Sequence, residues 1–509
     1  MQAFANRTVF SSQPQTQELS PGYKRIVLLC ATLAITQGAI NMSAIIIALP
    51  DISKDFHLSI ASAIWVITIY PLVITASASS FGRLSDIYGR ERVFALGTVL
   101  FVVASILAGL TQDGLQLIVT RAVLGAAYSI SWANSSALIT DYFPLGERAR
   151  ALAISQSGGI AGQMLGLVVG GLLTDLFSWR AVFLMTLPIS CLAAAISIVW
   201  LRPLSKRLPD QHLDIPGTAT WTAGIALVLV GLTYVTRAQW GATQAHLAFL
   251  AAALFIAVFV FIEARVRQPV INFSLFRDRI FAAANGAMFA NILSTSVIPL
   301  IIGTFYFRGF KHDTPLEAGV AVLPATAMFV VFGPLGGWLA DRMGSRKPAI
   351  TGVSLVVCGL IWLSFLRASA PYIEVIGAMC VSQIGAALFV GPNTATIMSA
   401  VPGAQRAMAA GIRGTVFNAG LSLSSALSVA LLATQVPQST LNAVLEGRGR
   451  FQAEQASDLF AGFQIVFLAA AAFAVLALIA VLLSDPHKET EKSTPELKAE
   501  AALEELGST

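Results

Sequence analysis

Charged residues are scarce in this sequence. Only 12% of its 509 residues are Asp, Glu, Lys or Arg, whereas 56% are hydrophobic and the mean hydropathy is +0.74. Soluble globular chains carry about 25% charged residues, so water-soluble domains of this length would lack about half of their usual surface charge. The composition excludes a soluble enzyme and a disordered chain, and it predicts an all-α polytopic membrane protein rather than a β-barrel.

Residues that hold metals or cofactors are equally sparse. The four cysteines fall inside apolar runs without CxxC spacing, and the five histidines lie far apart. No GxxxxGK[ST] loop is present, so a built-in ATPase is not expected. The longest polar stretches are about 25 residues, too short to form a soluble catalytic domain. We therefore expect no metal, no cofactor, no nucleic-acid partner and no enzyme activity.

Long apolar runs, by contrast, are plentiful. A helix needs about 20 apolar residues to cross the hydrocarbon core of a bilayer, and the chain offers fourteen such runs. The predicted spans are 25–49, 62–81, 93–111, 115–139, 149–174, 180–201, 217–236, 244–264, 281–307, 316–340, 348–367, 371–400, 407–434 and 459–484.

The distribution of Lys and Arg predicts the orientation. If the N-terminus is cytoplasmic, the inner loops and tails hold 22 of the 32 Lys and Arg residues, the outer loops hold eight, and two lie within spans. Cytoplasmic loops carry an excess of these residues. We expect a multi-pass protein of the cell (inner) membrane with both termini in the cytoplasm.

One inner loop occurs twice. The segment from Gly82 to Arg92 and the segment from Gly337 to Lys347 share Gly, Leu, Asp, Gly and terminal bases in register, 255 residues apart. Glycine permits a tight reversal between helices, and the acid and bases can form charge-assisted bonds there. The positions that recur or carry the charges are Gly82, Asp86, Gly89, Arg90, Arg92, Gly337, Asp341, Gly344, Arg346 and Lys347.

This loop resembles the G-x-L-[AS]-D-x-x-G-[RK]-[RK] signature of the major facilitator superfamily, where it works as a cytoplasmic latch between helices 2 and 3 of each six-helix half. The resemblance implies two such halves plus two inserted central helices. The predicted parts are an N-tail (1–24), an N-terminal bundle (25–201), a linker with the two extra helices (202–280), a C-terminal bundle (281–484) and a C-tail (485–509).

Further segments look like the fourteen-helix drug:proton antiporters. They include Trp65 to Tyr70 in helix 2, Trp179 to Phe183 after helix 5 and Pro315 to Gly319 at the start of helix 10. The likeness extends from about residue 25 to 484. It implies a multidrug-type efflux transporter that exports lipophilic small molecules, exchanges them for protons and works by alternating access. Mid-span prolines such as Pro71 and Pro334 suit such motion.

Helices 4 and 5 carry residues that we expect to take part in transport. In helix 4, Arg121 precedes Gly125 by four residues and matches the family's helix 4 Arg, which the family links to proton coupling; a purely structural Arg is the alternative. An Arg within a span is costly unless it faces a partner or a cavity. In helix 5, Gly158, Gly162, Gly166 and Gly170 recur every fourth residue. They match the antiporter motif of that helix, or form a simple packing stripe.

Helix 1 departs from the family pattern. Relatives usually have an Asp that can carry a proton, whereas this chain has Asn41, which cannot titrate. Arg413 in helix 13 lies about one turn from the branch's usual Arg position. Two basic groups without a facing acid predict a positive cavity that takes a neutral or anionic substrate. The expected cavity-lining residues are Gln37, Tyr70, Trp132, Asn134, Gln163, Asn291, Gln383, Asn393 and Asn418.

Several alternatives stay open at this point. Because of Asn41, an uncoupled facilitator or a lipid or metabolite exporter competes with a proton antiporter. An intramembrane enzyme is a remote alternative, for which His312 and Asp313 are the adjacent pair at the outer end of helix 9. We expect a monomer. The substrate, and whether an outer adaptor protein binds near residues 435–458, do not follow from the sequence.

Overall fold

The structure is a computed structural model that describes residues 20–201, 214–238, 243–266, 273–401, 406–445 and 453–484. Within this part of the chain, fourteen helices are long and apolar enough to cross a membrane, which confirms the predicted fold class. They are α1 (Pro21–Asp55), α2 (Ile60–Tyr88), α3 (Arg90–Gly109), α4 (Gly114–Tyr142), α5 (Leu145–Leu176), α6 (Ala181–Trp200), α7 (Ile215–Ala238), α8 (Thr243–Glu263), α9 (Arg279–Phe310), α10 (Pro315–Met343), α11 (Arg346–Ser364), α12 (Tyr372–Ser399), α13 (Arg406–Leu432) and α14 (Ala453–Leu483).

Some predicted segments lie outside the described residues. Residues 1–19 of the N-tail, the C-tail 485–509 and the linker segments 202–213 and 267–272 belong to this group. The division into bundles at residues 202 and 280 therefore stays a prediction. Within the polar stretch 435–458, residues Gln438–Leu445 form a short helix whose Leu441, Val444 and Leu445 are buried.

Hydrogen-bonding side chains begin several helices. Ser59, Asp113 and Asp278 each accept a hydrogen bond from one free backbone N–H in the first turn of α2, α4 and α9, respectively. Thr314 and Glu317 form a reciprocal capping box at the start of α10. These caps satisfy donors that the helices cannot satisfy themselves.

Two helices depart from regular α-geometry. Helix α6 is interrupted at Met185 and Thr186, so it consists of Ala181–Leu184 and Leu187–Trp200. Helix α9 changes at Pro299 into a π-helical segment, Pro299–Phe310. Proline has no backbone N–H and cannot continue the α-helical bonding pattern, which accounts for a change of helix type at this residue.

The duplicated loop forms a one-residue reversal in each half. Gly89 separates α2 from α3 with φ of 101°, and Gly344 separates α10 from α11 with φ of 81°. Side chains other than glycine rarely adopt this left-handed region. The second glycine of the signature is therefore required by the turn. We call the side of the bundle that holds these loops the latch face, and the opposite side the far face.

The inserted helices pack beside the boundary between the two halves. Helix α7 contacts both α2 and α13. Trp65 Nε1 donates to Thr233 Oγ1 at 3.1 Å, and the hydroxyls of Ser80 and Thr218 are 2.7 Å apart. One helix of the inserted pair is thus fastened to α2 near both faces.

The two halves meet closely at the far face. Thr304 Oγ1 on α9 donates to the carbonyl of Ile46 on α1 at 2.7 Å. Gly171 of α5 lies against the backbone at Pro315, and Gly319 of α10 lies against the backbone at Leu167. The far end of the boundary is therefore closed by α1, α5, α9 and α10.

Candidate transport site

Arg121 is the largest fully buried side chain in the described part of the chain. Its Nε donates to the carbonyl of Val66 on α2 at 3.1 Å, and its Nη1 donates to Oδ1 of Asn41 on α1. The guanidinium carbon lies 4.7 Å from the centre of the Tyr70 ring. Arg121 thus joins α4 to α1 and α2, which is how the fold accommodates a charge within a span.

Tyr70 packs beside this arginine and is itself packed against a second tyrosine. Tyr70 stacks on Tyr128 with ring centres 5.8 Å apart, and its hydroxyl donates to the Gly38 carbonyl at 3.4 Å. A Cβ atom at Gly125 would lie 2.8 Å from the Tyr70 carbonyl oxygen. Gly125 therefore lets α4 approach α2 closely enough for Arg121 to reach Val66.

The partners of Arg121 are all neutral. Among the described residues, no carboxylate is recorded in contact with it. The recorded ion pairs join other bases to acids: Lys24 to Glu147, Arg90 to Asp86 and Asp141, Arg180 to Asp55, and Arg308 to Asp51. The most deeply buried guanidinium is thus held by an amide, a carbonyl and an aromatic ring.

Arg413 lies at another depth. Arg121 is seven residues from the start of α4 at the far face, whereas Arg413 is seven residues from the start of α13 at the latch face. With a rise of about 1.5 Å per residue, each is only about 10 Å from its own face. The structure does not bring the two arginines together. Trp132 of α4 instead packs against α13 at Gly414.

The four glycines of α5 face α1. Cβ atoms added at Gly162 and Gly166 would lie 2.6 Å from the carbonyl oxygens of Thr36 and Ile40, respectively. Additions at Gly158 and Gly170 would meet the side chains of Thr32 and Ala44. The stripe therefore sets the distance between α5 and the helix that carries Asn41.

The other expected lining residues fall into three groups. Asn134 and Asn418 donate to carbonyls of their own helices, and Asn393 donates to Ala284 of α9. Gln37 and Asn291 are fully buried, and neither atom of their amides has a partner in the described structure. Gln163 is exposed and Gln383 is half-buried. Gln37 lies one turn from Asn41 on the same face of α1.

The two copies of the loop differ in their bonding. Arg90 bonds Asp86 at 2.9 Å and both carboxylate oxygens of Asp141 at 2.8 Å. In the second copy Asp341 is exposed, and Arg346 donates to the backbone carbonyl of Leu482. An ion-pair network of this kind is recorded in the first half alone among the described residues.

Comparison with known proteins agrees with this architecture. The model of the Major Facilitator Superfamily matches residues 29–425 and also 284–508. The chain belongs to the major facilitator superfamily. It is therefore a membrane transporter of small molecules that crosses the bilayer many times.

The chain is similar to proteins named for drug resistance and export. It is 28% identical to the multidrug resistance protein Stp of Mycobacterium tuberculosis over 423 residues, which cover 83% of this chain and 77% of Stp. It is 28% identical to the cephamycin export protein CmcT of Amycolatopsis lactamdurans over 469 residues, covering 91% and 93% of the two chains. These relatives agree with the multidrug-efflux branch that the sequence motifs resemble.

A solved structure has the same fold. It is a bacterial homologue of the human lysosomal transporter Spinster in an inward-facing, unoccupied conformation. The TM-score is 0.61 with 18% sequence identity, over 92% of this chain and 98% of that one.

Within this superfamily fold, the structure adds residues that the sequence reasoning missed. Arg308 of α9 pairs with Asp51 of α1 at 2.6 Å, and its Nη1 also donates to the Asp313 carbonyl at 2.7 Å. This ion pair joins the two halves at the far face. The acid follows the Ala-Leu-Pro segment of helix 1 directly, but no local pattern identifies its partner 257 residues away.

The first latch loop also faces the inserted helices. Arg83, next to Gly82, lies within the electrostatic influence of Asp214, Glu263 and Asp86. Asp214 and Glu263 are buried on either side of Gly217, at the latch-face ends of α7 and α8. The sequence contained a signal for this contact, because both acids terminate apolar runs next to basic loops.

Proposed function

We propose that this protein exports amphipathic small molecules by alternating access of its two halves. The observation that carries the proposal is Arg121, a buried charge held where α1, α2 and α4 meet within a duplicated bundle. A charge in this position is expensive for a passive scaffold. The export names of the relatives support the direction of transport.

The latch face is the cytoplasmic face in this proposal, and both chain termini lie there. The excess of Lys and Arg in the loops of that face supports this orientation. The contacts between halves at the far face, including Arg308 with Asp51, then correspond to a state that is closed to the outside.

Proton exchange is the first candidate for coupling, because the fourteen-helix branch implies it. Uncoupled facilitation is the second candidate, and one observation favours it. The side chain that accepts the hydrogen bond from Arg121 is Asn41, and its amide cannot titrate. A carboxylate at this place could alternate between the arginine and a proton, whereas an amide cannot.

Flux in proteoliposomes tests these statements. The wild type, Asn41→Asp and Arg121→Ala would be reconstituted with an imposed pH gradient, and the movement of dansylglycine, a fluorescent amphiphile, would be followed. The proposal predicts flux by the wild type and none by a correctly inserted Arg121→Ala variant. Wild-type flux that ignores the pH gradient, with gradient-driven flux in Asn41→Asp, identifies a facilitator. Gradient-driven flux in the wild type identifies an antiporter whose proton site lies elsewhere.

A further inference from the structure

The buried charge of Arg121 has no counterion within the described chain. Lys24, Arg90, Arg180 and Arg308 each pair with a carboxylate, although their side chains are all less buried than that of Arg121. Removing a guanidinium from water is unfavourable unless an opposite charge or several hydrogen bonds compensate it. Of its five N–H donors, two make the recorded bonds to Val66 and Asn41.

Further hydrogen-bonding groups without partners are found on the same helix face. The Nδ2 of Asn41 and both polar atoms of the Gln37 amide have no recorded partner, and both side chains are fully buried. These residues are four positions apart on α1, so their side chains lie one above the other. The Asn41 amide lies next to the Arg121 guanidinium, and the Gln37 amide lies one turn away on α1. Their N–H₂ groups can donate hydrogen bonds to the oxygens of a carboxylate or sulfonate.

The aromatic neighbours suit the other part of such a molecule. The Tyr70 ring lies against the Arg121 guanidinium, Tyr128 stacks on Tyr70, and Tyr128 also packs against Gly38, which is next to Gln37 in α1. Trp132 continues the same face of α4 towards α13 in the other half. A row of aromatic rings therefore extends along α4 from the neighbourhood of Arg121 to the contact with α13.

We propose that Arg121, Asn41 and Gln37 form a subsite for the acidic group of the substrate, so that the transporter prefers amphipathic monoanions. The proposal rests on the proposed transport function. Asn41 is the specificity-determining residue, because an Asp at this position would supply an internal counterion and remove the need for an anionic ligand.

Binding to the purified protein tests this subsite independently of transport. Three probes share a dansyl ring and differ in charge: dansylglycine is anionic, its amide is neutral, and a dansylaminoethyl-trimethylammonium salt is cationic. Equilibrium dialysis in detergent would give each dissociation constant. We expect the wild type to bind the anion about ten-fold more tightly than the neutral amide, as charge-assisted hydrogen bonds to a buried guanidinium imply.

Substitutions then separate the residues. Asn41→Asp is expected to abolish the preference for the anion, because the new carboxylate neutralises Arg121, and Arg121→Gln is expected to bind the anion and the amide equally. Arg265→Gln removes a positive charge at Phe261, away from this site, and should keep the wild-type preference. The Asn41→Asp variant keeps the test valid if Arg121→Gln does not fold.

The proposal is overturned if the wild type binds the anion and the amide equally, or if a folded Asn41→Asp protein still prefers the anion. Transport of the dansyl probes without a charge preference would refute the subsite and leave the exporter function standing. Tight anion binding without any flux would refute export of these compounds and leave the subsite standing.

Discussion

Arg90 at the start of α3 bonds both carboxylate oxygens of Asp141, near the end of α4, at 2.8 Å. The internal repeat has a period of 255 residues, so the positions that correspond to Arg90 and Asp141 in the second half are Ser345 and Thr396. The second half therefore has neither the base nor the acid of this contact. The loop signature is duplicated, whereas the Arg90–Asp141 contact has no equivalent at the corresponding positions of the second half.

This asymmetry predicts unequal effects of substitutions in the two loops. Arg90→Ser copies the second half and leaves Asp86 and Asp141, whose side chains are 18% and 34% exposed, without their base. We expect unfolding free energy to fall by about 1–3 kcal/mol, between the values for exposed and buried pairs, together with slower transport. Asp341→Asn is the matched control and should change the free energy by less than about 0.5 kcal/mol. Equal effects of the two variants, measured by thermal unfolding in detergent, would contradict the asymmetry.

The glycine stripe of α5 predicts a steric effect. An alanine at Gly162 places its Cβ 2.6 Å from the Thr36 carbonyl oxygen, so α1 and α5 must move apart. We expect Gly162→Ala to lower stability by about 1–3 kcal/mol. The control is Gly286→Ala in α9, where nothing lies within 4 Å of an added Cβ. This control should be neutral or stabilised by up to about 1 kcal/mol, and similar losses in both variants would argue against close packing of α1 and α5.

Asp313, in the loop between α9 and α10 at the far face, predicts that stability depends on pH. Burial raises the pKa of the Asp313 carboxyl above its ordinary value, although the Tyr372 hydroxyl donates to it at 2.6 Å and opposes this shift. A raised folded-state pKa means that the folded chain binds this proton more tightly than the unfolded chain. The contribution of Asp313 to stability is therefore largest at low pH and is lost as pH rises through the folded-state pKa.

Asp313→Asn removes this titration. The difference in melting temperature between variant and wild type should grow in favour of the variant as pH increases from about 4 to about 8. A difference that stays constant over this range would show that Asp313 does not contribute to the pH dependence of folding.

Local features of the chain were predictable, and contacts between distant segments were not. The spans and the glycine reversals at Gly89 and Gly344 depend on apolar length and on backbone freedom, which short sequence windows report. Arg121 was selected as a transport candidate for the same reason, because a charge inside an apolar run is a local anomaly. Among the residues that the structure describes, fourteen helices are long and apolar enough to cross a membrane, as predicted.

Pairing across the fold required the structure. Asp51 and Arg308 are 257 residues apart in the sequence. They form a pair only because of the way in which the two halves pack together. The depth of Arg413 in the bundle could not be predicted from the sequence either, because it depends on where α13 begins and on the direction in which α13 runs. That the Gln37 amide has no partner among the described residues became visible only once its neighbours were placed.

The central claim is that the two halves separate and close in turn at the far face. It is tested most directly by joining them there. Asp51→Cys and Arg308→Cys would be combined in a background without Cys30, Cys191, Cys358 and Cys380, and bridged with a reducible bis-methanethiosulfonate reagent, since a direct disulfide demands closer Cα atoms than this long pair ensures.

The flux of dansylglycine into proteoliposomes would be measured before bridging, after bridging and after reduction. The account predicts that bridging stops flux, that reduction restores it, and that the same reagent leaves each single-cysteine variant active. If the fully bridged variant still transported dansylglycine at the rate measured before bridging, alternating access at this face would be contradicted.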